Sequence, residues 1–245
     1  MPELQTMTKH FPPTEFAPPH LVVQGEQALM WYVAESPNPA AVQRACALLR
    51  QQVAEVLVEL VPAATSVLIV FDLCKTDHAQ LAARIQQLVV SPIAHTFSSS
   101  QVVELPCYYA EEVAPDLVRL AHLHQLSIAQ FIQCHSAQRY QVHAIGFAPG
   151  FAYLGEVPAM IATPRLATPR ARVPRGSVGI AGQQTAVYPT ASPGGWNLIG
   201  NCPLPMFALD RHPMMPIAVG DIVQFVAIDR AEFLRLGGEI DPWQC

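Results

Sequence analysis

The stretch GSVGIAGQQTAVYPTASPGGWNLIG, Gly176 to Gly200, decides the fold class of this chain. Short β-like pieces (Val178 to Ala181, Thr185 to Tyr188, Asn197 to Ile199) alternate with glycine and proline, and no 3.6-residue periodicity runs through them. Such text reads as a barrel or sandwich carried by extended loops. The same texture reaches outward on both sides: ten of the 13 glycines lie between Gly146 and Gly220, and eleven of the 23 prolines between Pro149 and Pro216. A strand from Arg139 to Phe147 leads in, and one from Ile222 to Ile228 follows.

The text before residue 139 is different. Leu21 to Ala34 reads as a strand or tight hairpin around Gly25, and Asn38-Pro39 is a cap followed by a first helical residue. Ala41, Val42, Ala45, Leu48, Leu49, Val53 and Val56 recur at steps of three and four, the stripe of an amphipathic helix. Two β-branched runs follow (Val56 to Val61, Val67 to Phe71), then a helix opened by Asp77 with Gln80, then a strand from Gln101 to Leu105. The order β-α-β-β-α-β over residues 20–106 is the split βαβ, ferredoxin-like arrangement. A helical connector over 107–138, broken near Leu126 and restarted by the capping box Ser127 to Gln130, hands over to a barrel spanning 139–245. Residues 1–19 read as a flexible, Pro-rich start. The fold class is therefore α+β in two parts.

Composition excludes several functions. The chain has 245 residues, 51% of them apolar and only 13% charged, with a net charge of −5 and an isoelectric point near 6.0. That balance argues against nucleic-acid binding, which needs a basic face. No apolar run approaches the roughly 20 residues that cross a bilayer, and no secretory signal is visible, so a cytoplasmic location is expected. Six cysteines without a C-x-x-C pair read as reduced thiols.

The chemistry-bearing residues gather in one segment. From Val157 to Leu209 there is no Asp or Glu, yet Arg165, Arg170, Arg172 and Arg175 fall there, and arginine's planar fork suits carboxylate or phosphate. The arginines serve an anion site or pair with acids elsewhere. The glycine runs 176–182 and 192–196 offer backbone N–H groups to an oxyanion or are barrel turns. Neither a P-loop nor a dinucleotide fingerprint is present. Tyr153, Tyr188 and Trp196 stack on a ligand or serve packing. His135 and His143 are candidate proton carriers. No Cys/His cluster indicates a metal.

Six ordered motifs now matter together: GFAPGFAYL (Gly146–Leu154), ATPRARVP (Ala167–Pro174), GSVGIAG (Gly176–Gly182), Gln184-Thr185, Tyr188-Pro189, and SPGGW followed by LIG (Ser192–Gly200). With them the chain resembles the family of the B-type subunit of 5-oxoprolinase, also called allophanate hydrolase subunit 1 and, for a sporulation kinase inhibitor, KipI. The resemblance implies a small α+β domain followed by a cyclophilin-like β-barrel. It implies an ATP-dependent opening of 5-oxo-L-proline to L-glutamate by a complex, with ATP and Mg²⁺ used in the complex and neither tightly bound to this chain. The partners implied are a larger protein like the C-type subunit of 5-oxoprolinase, related to carboxyltransferases, and a separate protein like its A-type subunit. The KipI name implies instead a regulator that binds a sensor histidine kinase, and the barrel alone suggests a prolyl isomerase, although fold does not carry activity. Under the resemblance His135, Arg170 and Arg172 are the catalytic candidates. Phe147, Pro149, Gly150, Tyr153, Arg165, Ser177, Gln184, Thr185, Tyr188, Gly194, Gly195 and Trp196 are the substrate- or nucleotide-binding candidates. Two departures stand out: Arg175 where the family has alanine, and Asn201 where it has arginine.

Overall fold

The computed structural model describes residues 20–90 and 102–240, and the caps read from the sequence are where its first helices begin. A hairpin of β1 (His20–Val23) and β2 (Ala28–Tyr32) turns at Gly25, whose φ of 69° a side chain would resist. Asn38 Oδ1 then accepts the Ala41 N–H at 3.0 Å and opens α1 (Pro39–Gln52). Strands β3 (Leu57–Pro62) and β4 (Ser66–Phe71) follow, and Asp77 caps α2 (His78–Val90) through the Gln80 N–H at 2.8 Å. Each cap contributes about 1 kcal/mol. The sheet runs β1-β2-β4-β3, antiparallel throughout. The helix stripe of Val42, Ala45 and Leu49 joins Leu81 and Ile85 in one core with Leu29, Trp31, Val67 and Ile69 of the sheet.

The strand expected at 101–105 does not close this sheet, which corrects the β-α-β-β-α-β reading. Its described residues form β5 (Val102–Tyr108), and β5 belongs to the second unit. The place beside β2 is filled by β1 instead. The chain divides into units Met1–Phe97 and Ser98–Cys245, so the boundary falls before β5 and not at residue 106. The Pro-rich start over 1–19 lies outside the described residues.

In the second unit β5 leads to α3 (Leu117–Leu123) and α4 (Ile128–Ser136), then β6 (Arg139–Ile145), β7 (Ala152–Gly155), β8 (Arg170–Val173), β9 (Ser177–Ala181), β10 (Gln184–Val187), β11 (Ser192–Gly194), β12 (Asn197–Asn201), β13 (Ile222–Ile228) and α5 (Arg230–Arg235). Seven strands close a barrel in the order β10-β7-β6-β13-β5-β12-β9, with β9 pairing β10, while β8 and β11 form a separate ribbon. All seven contribute to the interior core, among them Leu105, Tyr140, Leu154, Ile180, Val187, Ile199 and Phe225. The region read as a connector is part of this unit: Leu117, Leu120 and Phe131 of α3 and α4 sit in the same core. The capping box at α4 is present in both directions, Ser127 to the Gln130 N–H and Gln130 to the Ser127 N–H. Strands β7, β8 and β11 escape a reading of the sequence, since three or four residues between glycines and prolines carry no periodic signal. Among the described residues no helix is long and apolar enough to cross a membrane.

β5 pairs in parallel with β13 along its whole length and touches β12 through Tyr108 and Asn201. A fragment beginning at Ser98 is expected to unfold in one cooperative thermal transition. One beginning at Tyr109, which strips the barrel of β5 and bares the edges of β12 and β13, is expected to show none; circular dichroism melting of the two fragments checks this.

Candidate functional site

Alternation along the barrel strands sorts the candidate residues onto two faces of one wall. On β7 and β10, Ala152, Leu154 and Val187 point into the barrel core, while the neighbouring Tyr153, Ala186 and Tyr188 belong to a second cluster with Phe151, Val173, Trp196 and Leu198. Phe151 is its hub. Ring-centroid separations of 4.9 Å to Tyr153, 5.3 Å to Tyr188 and to Phe147, and 5.6 Å to Trp196 are all edge-on, the geometry favoured by the ring quadrupoles. The structure thus brings Phe147, Tyr153, Tyr188 and Trp196 together around a residue that the sequence does not single out.

The loop that carries Phe147 is held in an uncommon shape. Gly146 N–H donates to Phe151 O at 3.0 Å and Phe151 N–H to Ala148 O at 2.9 Å. Phe147 is left at φ 73° with 67% of its surface exposed. For a bulky residue that backbone costs about 1–2 kcal/mol. Gly150, at φ 85°, lies so close to the Met206 carbonyl that a Cβ would collide with it, and Pro149 is exposed beside it. Gly194 is required for a different reason, since a side chain there would strike the Tyr188 hydroxyl. Burial pushes the Tyr188 phenol up from its ordinary value, so it stays protonated.

The four arginines of the acid-free segment have separate fates. Arg170, expected to be catalytic, is paired with Asp116 at 2.8 Å and also donates to the Trp196 carbonyl at 3.3 Å. Asp116 is 4% exposed and accepts further from Arg119 at 3.3 Å and from the Leu198 N–H at 2.8 Å. Arg119 reaches Asn197 Oδ1 at 2.6 Å, and Asn197 Nδ2 donates to Pro164 O at 2.8 Å. This network fastens α3, β12 and the loop before β8 to one another, so the geometry makes Arg170 an anchor, not a group for substrate. Asp116 precedes α3 at its N-cap position yet makes no side-chain cap. The signal that could find it is an acid placed to cap that is drawn instead to a segment short of acids.

Arg172 and Arg175 line a cavity of ≈ 80 Å³ with Asn201, Cys202, Glu239 and others. The two departures from the family pattern are therefore neighbours: Asn201 Nδ2 donates to the Arg175 carbonyl at 3.0 Å. Arg165 is exposed, and its guanidinium carbon stands 5.9 Å from the Trp196 ring centroid. Ser177 is fully buried on β9, with no hydrogen-bond partner for Oγ among the described residues.

His135 lies on the other face of the wall. It is fully buried, with the tilted rings of Phe225 and Tyr140 at centroid separations of 4.7 Å and 5.2 Å. Its Nδ1 is 2.8 Å from the Tyr109 hydroxyl and its Nε2 is 3.0 Å from Thr185 Oγ1. The Thr185 hydroxyl gives its only hydrogen to Gly179 O at 3.0 Å, so Nε2–H must donate to Thr185 and Nδ1 must accept from Tyr109. Both nitrogens are occupied and the ring is neutral. The catalytic expectation for His135 does not fit this placement, and Thr185 and the half-buried Gln184 of β10 are likewise set in the barrel wall. His143 is buried beside Gly155.

In the first glycine run the backbone N–H groups are already committed within the barrel. β9 is paired on both edges, and the Gly176 and Gly182 N–H groups donate to the carbonyls of Tyr188 and Thr163.

Two outcomes follow. Burial lowers the His135 pKa from its ordinary 6.5 to about 3, so between those values the unfolded chain binds a proton that the folded one refuses. The stability is complete above about pH 6.5 and falls on acidification by up to about 1.4 kcal/mol per pH unit. Urea unfolding of the wild type and His135→Gln between pH 5 and 8 should show that difference in slope below pH 6.5. Asp116→Ala leaves Arg170 without its counter-charge and the Leu198 N–H without its side-chain acceptor, and should cost about 3–5 kcal/mol in the same measurement at pH 7.5.

A family model for the carboxyltransferase domain, subdomain C and D, matches residues 19–217. The B-type subunit of 5-oxoprolinase from Bacillus subtilis (strain 168) is 36% identical over 222 residues, 85% of this chain and 92% of that protein. The crystal structure of TTHA0988 superposes with a TM-score of 0.72 at 31% identity over 83% of this chain, which spans only 40% of that longer one. The urea carboxylase of Kluyveromyces lactis shares the fold at a TM-score of 0.65 and 16% identity, over 85% of this chain and 22% of that one. The chain belongs to the carboxyltransferase subdomain C and D family and, within it, to the family of 5-oxoprolinase B-type subunits.

Proposed function

We propose that this chain is one subunit of an ATP-dependent 5-oxoprolinase, a complex that opens the lactam of 5-oxo-L-proline to L-glutamate. The observation that carries the reading is 36% identity to a protein of that name across 92% of its length. The partners are a larger subunit related to carboxyltransferases and a third, separate subunit, and the seven-strand barrel is the cyclophilin-like barrel of the family. The long chains in which this module makes up 40% and 22% of the length support the need for such partners.

A lactam is a poor electrophile, and in the complex ATP supplies the driving force for its hydrolysis. The residues of this chain contribute a rigid surface: aromatic rings that displace water from one face of a substrate, with arginine at its margin. In this reading the nucleotide is held by a partner and the chain alone is inactive.

The test is to co-express the chain with the two other subunits and follow glutamate release from 5-oxo-L-proline. Release that requires ATP and all three chains is expected. A stable complex that releases no more glutamate with ATP than without it would overturn the reading.

A further inference from the structure

Four arginines and no acid between Val157 and Leu209 leave open which cation meets a ligand, and the structure separates them. The Asp116 carboxylate neutralises Arg170, and Arg172 and Arg175 border a cavity with Glu239 in its lining. Arg165 has no carboxylate within ion-pair distance among the described residues, and it borders the aromatic cluster directly.

We propose that Arg165 binds the substrate carboxylate, with the partly exposed ring of Tyr153 as the apolar face offered to the lactam, the buried Trp196 as the support beneath both, and Phe147 the outer edge. This rests on the 5-oxoprolinase reading above. The backbone on both sides of Arg165 is fixed: Pro164 O accepts from Asn197 Nδ2 at 2.8 Å, and Leu166 N–H donates to Gly195 O at 2.7 Å. Its guanidinium lies 5.9 Å from the Trp196 centroid, within the range of a cation–π contact. The side chain is thus held in place before a ligand arrives, which lowers the entropy lost on binding. Exposure leaves its planar fork open to a two-point contact with a carboxylate.

The rings continue the surface away from the charge. Trp196 and Tyr153 are 6.1 Å apart, and both neighbour Phe151, which carries Phe147 at its other side. Trp196 itself is only 5% exposed, so it is the floor beneath Arg165 and Tyr153 and the open faces are those of Tyr153 and Phe147. A cation at the border of an aromatic strip suits a small acid whose planar amide ring adjoins its carboxylate. The strained backbone at Phe147 has the same explanation: it holds an aromatic ring in solvent where a ligand or partner completes the enclosure.

The experiment uses the assembled three-subunit complex. It compares kcat/KM for 5-oxo-L-proline with the inhibition constant of 2-pyrrolidinone, the same lactam without the carboxylate, in wild type and in Arg165→Met and Arg165→Lys. Arg165→Met should lower kcat/KM on the order of 10–100-fold, mostly through KM, as expected for loss of a charge-assisted hydrogen bond. It should leave 2-pyrrolidinone inhibition within about twofold, since no charge is read there, and Arg165→Lys should recover part of the loss. A wild-type complex that turns over while Arg165→Met weakens both ligands alike, or neither, overturns this inference and leaves the 5-oxoprolinase reading standing. A wild-type complex that releases no glutamate overturns both.

Discussion

A buried carboxylate lets a stretch of the chain without acids fold. Asp116 gathers Arg170, Arg119 and the Leu198 N–H around two oxygens, and each partner comes from a different part of the second unit. Without it, β8 would bring Arg170 against a partly apolar wall with nothing to offset its desolvation. The acid comes from the approach to α3, far ahead in sequence, so local charge balance is restored only in three dimensions. That the network also reaches Pro164 through Asn197 matters most, because it fixes the backbone next to Arg165.

The wall works because a β-strand separates its neighbours. Thr185 points to His135 inside the barrel, while Ala186 and Tyr188 join the aromatic cluster outside. Inside, the bonds Tyr109 to His135 to Thr185 to Gly179 satisfy every polar group they bury, which is the condition for a polar chain to stabilise a core. Outside, the same strands carry rings whose far side is open at Phe147. One set of strands therefore holds both a closed polar relay that stiffens the barrel and a surface left incomplete.

Local signals are legible in the sequence and long-range ones are not. Asn38, Asp77 and Ser127 read as caps and are caps, since capping is chemistry over three residues. The β-rich second half is legible from the spacing of glycine and proline between Val178 and Ile199. β5 reads as part of the wrong sheet because its partner β13 lies at the other end of the unit, and nothing in Val102 to Tyr108 names the sheet it joins. His135 reads as a proton carrier from its place before a strand. The stripe that buries it, with Phe131 one turn earlier, is present in the sequence, but its bonds to Tyr109 and Thr185 join three separate elements. The aromatic cluster is half visible: Tyr153, Tyr188 and Trp196 stand out as rings, and their convergence on Phe151 needs the fold.

The division of labour in a complex follows from what the wall lacks. Proton transfer needs a group that can change charge near neutral pH within hydrogen-bond reach of substrate. The wall has no acid between Val157 and Leu209, its buried Tyr188 has a raised pKa, and His135 is sealed on the opposite face. Arginine binds and orients without exchanging protons, and aromatic rings exclude water without reacting. A surface of this composition supports catalysis by position and electrostatics, which is the part the function proposed above asks of it.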